Sequence, residues 1–232
     1  MMALSSIYAA RSIGRRALIA GLFLAATLPT VTLTLPARAE SLSDAKDPAV
    51  FIDLLGQEAI QSLTAPDLTS QERRARFREL LHRSFNVPGI ARFVLGHYWN
   101  EATEEERCEY LKLFEELIVT TYADRFSEYK GEKFAIAKVV QDRPNYATVH
   151  TLVDRPSAED VRVDWRLRQE GDGSWRVIDL VVEGVSMSIT QRSEFASVIQ
   201  SNGGKVRGLI ESLRKKVKSP GAEATAASAA CT

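Results

Sequence analysis

The chain has little of what catalysis, metal binding or nucleic-acid binding needs. Its 232 residues include three histidines and two cysteines. His82, His97 and His150 are far apart and have neither an i,i+4 partner nor a Cys/His cluster, so neither a metal nor a cofactor is expected. There is no P-loop and no G-x-G-x-x-G. Ser186 follows Gly184-Val185, but the downstream glycine of a G-x-S-x-G elbow is missing. Asp179 and Glu183 stand four apart on one side of a strand, where a hydrogen-bonding and turn role is a plainer expectation than paired-carboxylate chemistry. The chain therefore reads as a non-enzyme. It also lacks charge of one sign: 30 basic side chains balance 30 acidic ones, which points away from nucleic acid.

What is present begins with an export pattern. Arg11, Arg15 and Arg16 precede an apolar run from Ala17 to Leu35, and Ala37-Arg38-Ala39 forms a small-x-small cleavage box before Glu40. Residues 1–39 are read as a secretory signal peptide cleaved after Ala39, which sends the chain to the periplasm. The competing reading, a membrane anchor, is opposed by Pro29 and the cleavage box. Residues 1–39 hold four basic side chains and no acidic one, so the remainder carries net −4. No later run is apolar enough to span a bilayer, which takes about 20 residues. Cys108 and Cys231 look ill-placed for a disulfide, and no lipobox cysteine follows the apolar run.

After a linker at 40–47, one domain is expected over 48–218, followed by a disordered tail at 219–232 that has no apolar period. Asp47 and Pro48 open a helix with Val50, Leu54, Leu55, Ala59, Ile60 and Leu63 on one face. Thr69/Glu72 and Thr103/Glu106 are capping boxes. The helix begun at Thr69 turns Phe77, Leu80, Leu81 and Phe85 inward. Its arginines Arg73, Arg74, Arg76 and Arg78 read as a solvated face or, alternatively, a docking surface. A short helix starts at Pro88. The helix begun at Thr103 should run to about Tyr129.

The period then becomes two. Lys133–Asp142, Tyr146–Asp154, Val161–Leu167 and Trp175–Val182 read as an antiparallel meander. Val161, Val163, Trp165 and Leu167 alternate with Arg162, Asp164, Arg166 and Arg168, giving one wet and one buried face. Helices at about 191–200 and 205–218 close the domain. The fold class is α+β: a four-stranded or slightly larger antiparallel twisted sheet wrapped by about six helices. Periodicity leaves two interiors open, a solid core or an apolar pocket. Each methylene moved from water into such an interior gains about 0.8 kcal/mol.

Two blocks carry a family resemblance. One is LGHYWNEATEEERCEYLKLFEELIVTTYADRFSEYKGE, Leu95 to Glu132; the other is WRLRQEGDGSWRVIDLVVEGVSMSITQRSEF, Trp165 to Phe195. They resemble the MlaC family, also known as toluene-tolerance or Ttg2-type proteins, over about Pro48 to Val217. The resemblance implies a soluble periplasmic carrier that holds phospholipid acyl chains in an apolar pocket, with the headgroup at its mouth. It further implies partners in an inner-membrane ABC lipid transporter complex and an outer-membrane lipoprotein complex, a monomeric state, and a role in outer-membrane lipid asymmetry.

The pocket residues expected are Val163, Trp165, Leu167, Val177 and Val181 from the sheet. Phe114, Ile118 and Tyr122 from the long helix would oppose them. On strand two Tyr146, Thr148, His150 and Leu152 take the inward positions, which makes one wall more polar than is usual in the family. A hopanoid-linked branch, HpnM, supplies an alternative ligand. An envelope adaptor with a solid core is the alternative that binds no lipid.

Overall fold

The computed structural model describes residues 41–155 and 159–218. The expected signal peptide with its cleavage site, the 219–232 tail and Cys231 lie outside these residues.

Helix starts follow their local chemistry. Asp47 accepts hydrogen bonds from the amides of Ala49 and Val50 at 2.7 and 3.1 Å and opens α1, Pro48–Leu63. Both capping boxes form, at the starts of α2 (Ser70–Ser84) and α5 (Glu104–Tyr122). Between them lie α3, Val87–Leu95, and a single turn α4, Tyr98–Glu101.

The long helix stops seven residues short of the expected Tyr129, and a 3-10 stretch, Ala123–Glu128, takes over. The sequence Ile118-Val119-Thr120-Thr121 explains this. It is rich in β-branched side chains, and the hydroxyls of Thr120 and Thr121 bond back to the carbonyls of Glu116 and Leu117 at 2.8 and 2.6 Å.

The sheet is a five-stranded antiparallel meander in the order β1-β2-β3-β4-β5: Lys133–Arg143, Tyr146–Asp154, Val161–Gln169, Trp175–Val182 and the short Val185–Ser186. Ser186 then caps α6, Met187–Ser201, which begins four residues before the expected start at about Gln191. Helix α7, Val206–Val217, follows.

Two apolar clusters result. One joins α3, α5, α6 and α7 around Tyr110, Phe114, Phe195 and Leu209. The other packs α1 on the inner sheet face around Phe51, Leu55, Val149, Leu167, Trp175 and Val177. The side chains of Phe77 and Phe85 touch both.

Several details differ from the sequence reading. On α1, Phe51 and Ile52 are buried and Val50 is exposed. The stretch read as a linker packs down: Leu42 and Ala45 are buried, and the Trp175 indole donates to the Lys46 carbonyl at 2.8 Å. Three of the four α2 arginines read as a solvated face are held within the fold, and Arg76 is exposed. Arg73 is buried and donates to the carbonyls of Leu63 and Leu68, Arg74 meets Asp124, and Arg78 meets Glu115 and Glu116. Among the described residues, no helix is long and apolar enough to cross a membrane.

Candidate functional site

The strand register decides which side chains can meet. Val163, Trp165 and Leu167 of β3 stand opposite Thr151, Val149 and Ala147 of β2. On the other side Val163 and Trp165 pair with Val182 and Leu180, and Leu167 pairs with Val177. All these residues share one face, and α1 and α2 lie over it.

The face is not uniformly covered. Leu167, Val177 and Trp175 are fully buried against α1, whereas Val163, Trp165, Leu180 and Val182 are only half-buried. Phe77 of α2 and Phe126 of the 3-10 turn, with ring centroids 6.0 Å apart, pack against the same cluster as Trp165 and Leu180. At the β1 end Phe134 lies across Gly56 of α1. A Cβ at residue 56 would fall 2.0 Å from the ring, so any side chain there would have to displace Phe134. Trp165, Leu180, Phe77, Phe126 and Phe134 thus form a partly covered apolar seam along the sheet-side cluster.

Four of the expected pocket residues, Val163, Trp165, Leu167 and Val177, lie on this face. Tyr146 and Leu152 do not: they pair with Arg168 and Arg162 on the outer face, together with Thr148 and His150. Leu152 is 44% exposed. The inward set of β2 is Ala147, Val149 and Thr151, one residue out of step with the expectation.

Val181 also sits on the outer side, opposite Asp164. A bulge is responsible. Arg166 pairs with Asp179 while Leu167 pairs with Val177, so Ile178 is the extra residue and the alternation of β4 shifts across it. Phe114 belongs to the helical cluster, 6.3 Å from the Phe195 ring, and Ile118 packs there too. Tyr122 is 42% exposed beneath Arg125.

Phe77 was expected to face inward but not toward the site, and Phe126, Phe134 and Leu180 were not expected there. The signal for Phe126 and Phe134 was their position at the helix-to-strand change of period. For Leu180, nothing short of the bulge would have revealed its face.

The polar groups near the β4–α6 corner have structural occupations. Asp179 is buried and accepts hydrogen bonds from Ser186 Oγ (2.7 Å), Ser188 N (3.1 Å), Ser188 Oγ (2.7 Å) and Arg166 Nη1 (3.1 Å). Ser186 Oγ also accepts from Ile189 N and so caps α6. Glu183, at φ 49°, takes the amide of Arg162. The turn role expected of Asp179 and Glu183 is therefore the one they play.

On the outer face His150 Nδ1 lies 2.7 Å from Asp164 Oδ1, and Arg162 grips both Asp164 oxygens. Burial pushes the Asp164 carboxyl up. The hydrogen bonds from Arg162 and His150 outweigh it and hold the group below the usual carboxylate range. Among the described residues no group of three His, Cys, Asp or Glu side chains could hold a metal ion.

A single antiparallel sheet, with one apolar face only partly capped by helices, defines a helix-capped α+β protein. A solved structure shares this fold: the phospholipid-binding protein from Ralstonia solanacearum in complex with a phospholipid. Its TM-score is 0.65 at 21% identity, covering 71% of this chain and 93% of that one. The profile of the family described as MlaC protein matches residues 55–215, and the chain belongs to the MlaC family.

Two relatives agree. The intermembrane phospholipid transport system binding protein MlaC of Haemophilus influenzae is 25% identical over 131 residues, 55% of this chain and 60% of the relative. The toluene tolerance protein ttg2D of Pseudomonas putida is 23% identical over 127 residues, 54% of this chain and 59% of the relative. The chain thus spans about three fifths of the length of these curated relatives.

Proposed function

We propose that this protein is a soluble periplasmic lipid carrier. It takes phospholipid acyl chains into the seam and passes lipid between the outer- and inner-membrane complexes of an ABC-type transport system. The observation that carries this reading is the incomplete cover of Val163, Trp165 and Leu180 on an otherwise buried apolar sheet face. Half-covered apolar surface gains free energy when hydrocarbon covers it, at roughly 25 cal/mol per Å². The binding is non-directional, so headgroup choice is loose.

Chains that enter deeply must part α1 and α2 from the sheet, where Leu167 and Val177 are packed. A partner that binds the parted state better shifts that balance. Family membership, the names of the relatives and the fold shared with a phospholipid-bound protein support the reading. Export requires removal of residues 1–39, and an intact mass beginning at Glu40 is expected.

The complete burial of Leu167, Val177 and Trp175 favours a second reading, an adaptor with a solid core. Mass spectrometry of solvent-extracted lipid from purified protein decides between them. Stoichiometric phospholipid supports the carrier, hopanoid changes only the ligand, and no lipid leaves the adaptor.

A further inference from the structure

Away from the seam, a shallow groove on α3, α4 and α6 is lined by Arg92, Phe93, Gly96, Trp99 and Arg192. Arg74 and Arg78 of α2, Arg162 and Arg166 of the outer sheet face and Arg214 of α7 close on carboxylates. Arg92 and Arg192 do not. The Arg192 guanidinium stands 5.1 Å over the Phe93 ring and that of Arg92 5.8 Å over the Trp99 ring, and among the described residues neither has a carboxylate within ion-pair reach. Gly96 makes room for this: a Cβ there would lie 3.0 Å from Arg192 Nε. Beside the arginines, Phe93 is 44% exposed. Ile189, one turn before Arg192 on α6, is 52% exposed.

We propose that this face seats the protein on an anionic lipid headgroup layer. Each planar guanidinium offers paired N–H donors to phosphate oxygens and is already partly stripped of water by its ring. Aromatic rings and an exposed aliphatic side chain beside unpaired cations are the composition that settles at a membrane interface. An acidic protein segment would satisfy the arginines but leave Phe93 and Ile189 without a matching environment. The proposal deepens the carrier reading by naming the side that meets the membrane, yet binding here needs nothing from the seam.

The test is co-sedimentation of purified protein with protein-free vesicles, either pure phosphatidylcholine or phosphatidylcholine with 30% phosphatidylglycerol (about a third, chosen so that a surface potential develops). Extracted lipid is measured on the same samples. Binding to the anionic vesicles, weakened by salt, is expected. The double variant R92Q/R192Q should bind about 30-fold less tightly, the effect of removing two basic residues from an anionic surface. F93S should weaken binding to both vesicle types. The control K138Q/R143Q, on β1, removes the same charge and should bind as the parent does.

Equal binding of parent and R92Q/R192Q overturns the proposal, and is also the outcome if the groove's partner is an acidic protein. An equal loss with K138Q/R143Q overturns it too, because only net charge would then matter. Failure of the carrier reading shows separately, as absence of extractable lipid while vesicle binding persists.

Discussion

The Trp165 indole Nε1 donates to Thr151 Oγ1 across β3 and β2 at 3.1 Å, and the Thr151 hydroxyl donates onward to the Val163 carbonyl at 2.9 Å. This relay hides the only polar atom of the Trp165 side chain against the sheet and leaves an apolar ring surface toward the seam. Thr151 is buried, so no water can replace it readily. Thr151→Val keeps the shape and removes the acceptor. It should lower unfolding stability by about 1–3 kcal/mol, the cost of an unpaired buried donor. Urea titration followed by tryptophan fluorescence measures this. An unchanged midpoint would mean the indole finds another partner.

The two faces of the sheet should respond differently to charge. Val163→Asp places a carboxylate in the half-covered seam and should remove co-purifying lipid from protein that still folds. Leu152→Asp, on the exposed outer face, should leave lipid content unchanged and alter stability by less than about 0.5 kcal/mol. Leu167→Asp is a poorer test, because it buries a charge in solid core and unfolds the chain. Lipid extraction with circular dichroism on both variants checks the pair. Equal lipid loss in each would sink the assignment of the seam.

The residues explain which parts were legible. Caps and turns are local, so Asp47, Thr69 and Thr103 announced their helices, and the alternation of β3 fixed its buried face without help. Strand β2 alternates apolar and polar residues less sharply: Tyr146 and Leu152 look as inward as Ala147 and Val149. Only pairing with Arg168 and Arg162 settles the choice, and register is a property of two strands. Val181 failed for a similar reason, since the extra residue Ile178 has no mark of its own. The helix residues Phe114 and Ile118 were right as core and misplaced as partners, because periodicity shows that a face is buried but not against what. Arg73, Arg74 and Arg78 of α2 showed the opposite error. Their acceptors, Asp124, Glu115 and the carbonyl of Leu63, lie 10 to 50 residues away in sequence.

Asp179 pins the corner between β4 and α6 through four donors. Asp179→Ala should cost about 2 kcal/mol or more, since the buried Ser188 amide and hydroxyl lose their acceptor. The Arg166 contribution is small because its side chain is half exposed. Hydrogen exchange should show the amides of Ser188 and Ile189 losing protection while those of β2 keep theirs. Uniform loss across the sheet would show that the residue supports the whole fold rather than the corner.

The last expectation concerns acid. Hydrogen bonds from Arg162 and His150 hold the Asp164 carboxyl below its ordinary value, which is about 3.9 in an unfolded chain. Above that pH the carboxylate is ionised in both states and its stabilisation is complete. As the pH falls through the unfolded value, the unfolded chain binds the proton first, so stability declines until the folded carboxyl is protonated as well. Asp164→Asn removes this proton linkage. The stability gap between parent and variant, from urea unfolding at a series of pH values, should be constant above about pH 5 and shrink progressively below about pH 4. A gap that stays constant into the most acidic conditions at which the protein folds would mean that Asp164 contributes through packing rather than through its charge.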